Sequence, residues 1–122
     1  MKYIVDESVL IAVVRGNRTV IEQLHWHRKW ELGTPQPVVL AVDALVKDLR
    51  LRGATKRWHL LLPDLPRLSW TDGVTDRLLG YARSDLDAIT VAHALELDAH
   101  IVTIDPGRYS WADGLRVEEL AP

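Results

Sequence analysis

A chain of 122 residues has room for one domain around one hydrophobic core. Hydrophobic residues make up 48%, and no apolar run nears the roughly 20 residues of a membrane-spanning helix, which argues against a membrane protein. The net charge of −2 excludes a global pull toward nucleic acid, and the lack of cysteine excludes disulfides and thiolate metal sites. The N-terminus, MKYIVDES, shows no signal-peptide core, so a cytoplasmic protein is expected.

Taken in order, Lys2 to Val5 reads as a short strand ending at Asp6. Ser8 to Val14 reads as a short apolar helix stopped near Gly16-Asn17, and Thr19 to Leu32 as a longer one ending at Gly33. Pro35 and Pro37 mark a loop, after which Val38-Val-Leu-Ala41 reads as a second buried strand followed by Asp43. Ala44 to Leu51 is helical, and Thr55 is placed to cap a further helix, Lys56 to Leu62. Arg67 to Trp70 gives a third strand and Thr75 to Arg83 another helix.

Ser84 to Asp105 then reads as a helix, a tight turn and a strand. Ser84 with Asp87 three residues later is a capping-box pattern, and Leu86, Ile89, Ala92, His93 and Leu97 follow at helical spacing. His100 to Ile104 is a β-branched run ended by Asp105-Pro-Gly, and Leu115 to Glu118 is a weak last strand. Strands alternating with helices argue a parallel sheet covered on both faces, a single domain over 1–122. A helix leading back into a parallel strand runs antiparallel to it. Its start, with Asp85 and Asp87, therefore lies at the sheet edge where Asp6, Asp43 and Asp105 leave their strands, which is where such sheets bind ligands.

Gathered carboxylates repel unless one is protonated or a cation sits between them. Mg²⁺, with Mn²⁺ as its substitute, is the hard cation such oxygens hold, and its usual chemistry is at phosphate esters. The residues alone thus point to a metal-dependent phosphodiesterase or phosphohydrolase.

Three motifs carry a resemblance. Tyr3-Ile-Val-Asp6-Glu-Ser8-Val-Leu, then Leu86-Asp87-Ala-Ile-Thr-Val-Ala-His-Ala-Leu-Glu-Leu97, then Ile101-Val-Thr-Ile-Asp105 resemble the PIN-domain ribonucleases, and among them a VapC-type toxin of a toxin–antitoxin pair. The resemblance implies a three-layer α/β/α sandwich with a mostly parallel sheet of about five strands. It implies Mg²⁺- or Mn²⁺-dependent cleavage of RNA by a metal-activated water, a homodimer, and a cognate antitoxin as partner. By position, Asp6, Asp87 and Asp105 match the family's acidic metal ligands, and Ser8 and Thr103 its small hydroxyl positions. Asp43 stands where the family usually has Glu, one methylene longer, and Asp85 is a further candidate ligand. Arg15, Arg83 and Arg108 are the arginines closest in sequence to these elements, hence candidates for RNA contact.

Plainer readings exist for each acid: Asp6 as a helix cap, Asp87 as the return residue of the capping box, Asp105 as a turn residue, Asp43 as a first-turn acid. Their joint placement at one edge favours the metal site. Arg50, Arg52, Lys56 and Arg57 read more readily as a solvated helix face than as an RNA contact. His93 reads as a packed core histidine. Trp26, Trp30 and Trp58 suit an antitoxin groove, the core or a dimer contact equally. The rival functions are a PIN-fold binding module too weak for catalysis and a phosphoacceptor signalling domain. The latter expects a Lys after its last strand, and no Lys follows residue 56.

Overall fold

The structure, a computed structural model, describes residues 2–122. Asp6 ends β1 (Tyr3–Val5) and its side chain accepts from the Val9 N–H, so the same residue starts α1 (Glu7–Val14). Asn17 caps α2 (Arg18–Leu24) in the same way. A 3₁₀ turn over Lys29–Glu31 leads into β2 (Leu32–Pro35), then come α3 (Gln36–Asp48), α4 (Ala54–Leu61) and the two-residue β3 (Arg67–Leu68). Thr71 caps α5 (Asp72–Leu79) and Asp85 caps α6 (Leu86–Leu97), which returns to β4 (His100–Thr103) and, through a 3₁₀ turn at Pro106–Tyr109, to β5 (Val117–Glu119).

The five strands are all parallel, in the order β3-β2-β1-β4-β5. Alternation along the strands sorts the core. Val5, Leu32 and Val102 face the layer built by α1 to α4, around the fully buried Trp58. Ile4, Leu68 and Ile101 face α6, through Val91 and Ala94. The sheet is thus covered on both sides, and the expected α/β/α sandwich is the fold found. From β1 the chain moves outward to β2 and β3, then crosses back to β4. The strand order therefore reverses between β1 and β4, and the crevice beyond their carboxyl ends is where such a fold places a ligand.

The second strand was expected in the wrong place. Val38 to Ala41 is helical, and β2 lies at Leu32–Pro35. The buried residues Val38, Val39, Val42 and Val46 repeat with a helical period, and Pro37 sits in the first turn, where proline lacks no needed hydrogen bond. The apolar run of four, opened by two β-branched valines, masked that period. In consequence Asp43 does not follow a strand. It lies inside α3, paired with Lys47 and accepting from Trp58 Nε1.

Other boundaries move as well. The helix expected over Thr19–Leu32 ends at Leu24, α4 starts at Ala54 after Gly53 rather than at a Thr55 cap, and β5 starts at Val117. Ser84 does not cap α6, because Asp85 does so through the Ala88 N–H at 3.0 Å.

Candidate functional site

Asp6 stands at the end of the central strand, 1% exposed, with its backbone N–H on the Val102 carbonyl of β4. Oδ1 accepts from Ser8 Oγ at 2.5 Å and from the Val9 N–H at 3.2 Å; Oδ2 accepts from the Tyr109 hydroxyl at 2.6 Å. A carboxylate offers about four acceptor sites, so one remains. That one faces Arg108 Nη1, 3.5 Å from Oδ2. The Ser8 hydroxyl also lies 3.1 Å from Thr103 Oγ1 and accepts from the Ile104 N–H, while Thr103 Oγ1 accepts from the Asp105 N–H. The two hydroxyl positions thus tie α1 to the end of β4 and fix Asp6 relative to Asp105.

Asp87 reaches the same place from the first turn of α6. With Asp85 as the cap, its carboxylate is free of capping duty. It lies 3.4 Å from Arg108 Nε and 3.6 Å from Arg83 Nη2. Glu7, overlooked as a site residue, joins from α1 at 3.2 Å from Arg108 Nη2. One guanidinium thus touches three carboxylates from three directions. Burial pushes the Asp87 and Glu7 carboxyls above their usual range, against the pull of Arg108. Burial alone would loosen the Arg108 proton, but Asp87 and Asp6 outweigh it and the proton is held more tightly than usual. The Tyr109 hydroxyl is pushed far up by burial and by Asp6, so it serves as a fixed donor. The starts of α1 and α6 both point here and favour negative charge.

Asp105 lines an open depression with Glu7, Ser8, Ile11, Ile104 and Arg108. Asp87 lines a neighbouring one with Glu7, Asp85, Leu86 and Arg108. Glu7 and Arg108 form the wall between the two. The donors are hard oxygens, which suit Mg²⁺ or Mn²⁺. Yet among the described residues no three acidic or histidine side chains stand close enough together to hold an ion as they are placed.

The remaining candidates divide. Asp85 is spent on its cap and on Arg83, whose guanidinium forks onto it and lies over the Trp111 ring at 4.5 Å. Arg83 and Arg108 belong to the site, whereas Arg15 closes α1 at the end opposite Asp6 and is not brought to it. Asp43 makes none of the contacts of this cluster. Tyr109 was missed as a site residue because an aromatic four residues beyond an acid has no distinctive chemistry until the chain folds back onto Asp6.

No protein-family model matches the chain, and no curated protein matches its sequence. The fold, by contrast, has solved counterparts. A chain of VapBC2 from Rickettsia felis, solved bound to a DNA fragment from their promoter, superposes with a TM-score of 0.79 at 13% identity, covering 98% of this chain and 99% of that one. A chain of a toxin–antitoxin complex from Klebsiella pneumoniae matches with a TM-score of 0.74 at 17% identity over 93% and 95%. One of VapBC-1 from nontypeable Haemophilus influenzae gives 0.74 at 14% over 98% of both. This chain therefore has the fold of a component of these complexes over essentially its whole length.

Proposed function

We propose that this chain is a VapC-type PIN-domain toxin, a Mg²⁺- or Mn²⁺-dependent endoribonuclease that acts as a homodimer and is held in check by a cognate antitoxin. The observation that carries this reading is the convergence of Asp6, Glu7 and Asp87 on one cationic group at the β1/β4 crevice, beside Asp105. The fold shared with toxin–antitoxin complexes supports it.

Asp6, Asp87 and Asp105 would hold the cation, with Glu7 as a fourth carboxylate; Asp43 would have to leave Lys47 and Trp58 to join them. A divalent cation bound there supplies the charge neutralisation and water activation that phosphodiester hydrolysis needs. The chain's own residues do the rest. Ser8, the Val9 N–H and Tyr109 hold Asp6 in one orientation, so no reorganisation is needed there. Arg83, half-exposed over Trp111, is the nearest further cation for a phosphate, which would compete for it with Asp85. For the antitoxin, the apolar groove lined by Val13, Ile21, Leu24 and Leu61 is the surface with the right character, and Trp26 and Trp30 stand exposed on the segment that follows α2. Trp58 is core and takes no part.

The test is cleavage of total RNA by the purified chain with Mg²⁺, with Mn²⁺ and with EDTA, beside Asp87→Asn. Discrete fragments that need metal and vanish in the variant support the nuclease. A folded chain that cleaves nothing under any condition favours the alternative, a PIN-fold binding module, for which the presence of Arg108 among the carboxylates already speaks.

A further inference from the structure

The acids of this site converge, but on an arginine. Arg108 stands 3.5 Å from Asp6 Oδ2 over its last acceptor position, contacts Glu7 and Asp87, and walls the Asp87 depression off from that of Asp105. Its Nε is buried and has no aligned hydrogen-bond partner, although Asp87 Oδ1 is 3.4 Å away. Apart from one hydrogen bond from Nη2 to Glu7 Oε1 at 3.2 Å, the guanidinium is therefore held on Asp6 and Asp87 by charge and not by a fitted fork, unlike Arg83 on Asp85. The other acceptor positions of Asp6 are taken by Ser8, Val9 and Tyr109, none of which can move without uncapping α1 or stranding a buried hydroxyl. A cation approaching Asp6 has only the position Arg108 occupies.

We propose that Arg108 is a resident counter-ion that competes with the divalent cation for the carboxylate cluster, so that cation binding requires the guanidinium to withdraw from Asp6 and Asp87. This rests on the metal-dependent reading above and adds a regulator to the same site. In the cation-free chain Arg108 offsets part of the cluster's negative charge. Its withdrawal joins the two depressions and brings Asp87 and Asp105 to face one space.

The measurement is Mn²⁺ binding, followed by the loss of the free-ion paramagnetic resonance signal, for the parent, Arg108→Met, Arg108→Lys and Asp87→Asn. Methionine keeps the bulk without the charge, and its variant is expected to bind Mn²⁺ at least about tenfold tighter than the parent. Lysine keeps a charge without the fork, and its variant falls between the two. It also serves if the methionine variant fails to fold. Equal or weaker binding by both Arg108 variants, with binding abolished in Asp87→Asn, overturns the competition while leaving the metal site standing. No Mn²⁺ binding by the parent or by either Arg108 variant overturns both the competition and the metal-dependent reading.

Discussion

At the scale of single residues, Asp6 does two things at once. It caps α1 and it gives Tyr109 and Ser8 their acceptor. Asp6→Ala should therefore cost stability as well as any cation site. Losing the cap and stranding a buried hydroxyl together amount to about 2–4 kcal/mol, readable by urea denaturation. Asp87→Asn carries neither duty and should change stability by less than about 1 kcal/mol, which makes it the cleaner variant for activity. His93 gives a separate residue-scale prediction. It is buried on α6 against the edge of Trp70, with Nε2 unpartnered, and burial holds its pKa below the usual value. The unfolded chain then takes up a proton near pH 6.5 that the folded chain refuses. This contribution to stability is intact above that pH and is lost as pH falls below it, by at most about 1.4 kcal/mol per pH unit. Asp87 and Glu7, whose raised carboxyls favour the fold at lower pH, act in the opposite sense. The difference between the parent and His93→Leu, measured by denaturation from pH 5 to pH 8, isolates the histidine. A parent and variant with identical pH slopes would remove His93 from the account.

At the scale of elements, the basic cluster beside α4 proves to be split. Arg57 is turned inward, donating from Nε to the Val14 carbonyl at 2.7 Å and from Nη2 to the Arg52 carbonyl at 3.1 Å. It closes the carboxyl end of α1 and packs over Gly16 and Gly53, both at φ +81°, a backbone that favours glycine. Arg57→Ala is expected to lower stability by about 1 kcal/mol and to leave RNA affinity unchanged, which denaturation and a filter-binding titration would check together. The same scale explains which elements were legible. β1, α1, α6 and β4 were placed nearly residue for residue, because each is short, strongly apolar and bounded by an acid, a cap or a turn. β2 was not. Leu32-Gly-Thr-Pro carries a glycine and a proline, and its strand character comes only from pairing with β1 and β3. With β2 at Leu32–Pro35, Asp43 lies inside α3 and does not follow a strand.

At the scale of the molecule, apolar side chains remain uncovered on the α5–α6 side. Leu79 is 80% exposed, with Trp70 and Leu97 also open. If the chain is the homodimer proposed, this is a surface suited to a second copy. Sedimentation should then give twice 13.8 kDa for the parent and a mixture shifted to monomer for Leu79→Glu. A monomeric parent at tens of micromolar would remove the dimer from the proposal. The sequence by itself determined the layered α/β architecture, the acids at the ends of the first and fourth strands, and the acid opening the helix between them. Those features follow from local periodicity and turn chemistry, which neighbouring residues carry. Only the tertiary structure decided that Glu7 and Tyr109 join Asp6 and that Arg108 lies between the carboxylates. These are contacts across about 100 residues of chain, set by the β1–β4 pairing, and no local pattern encodes them.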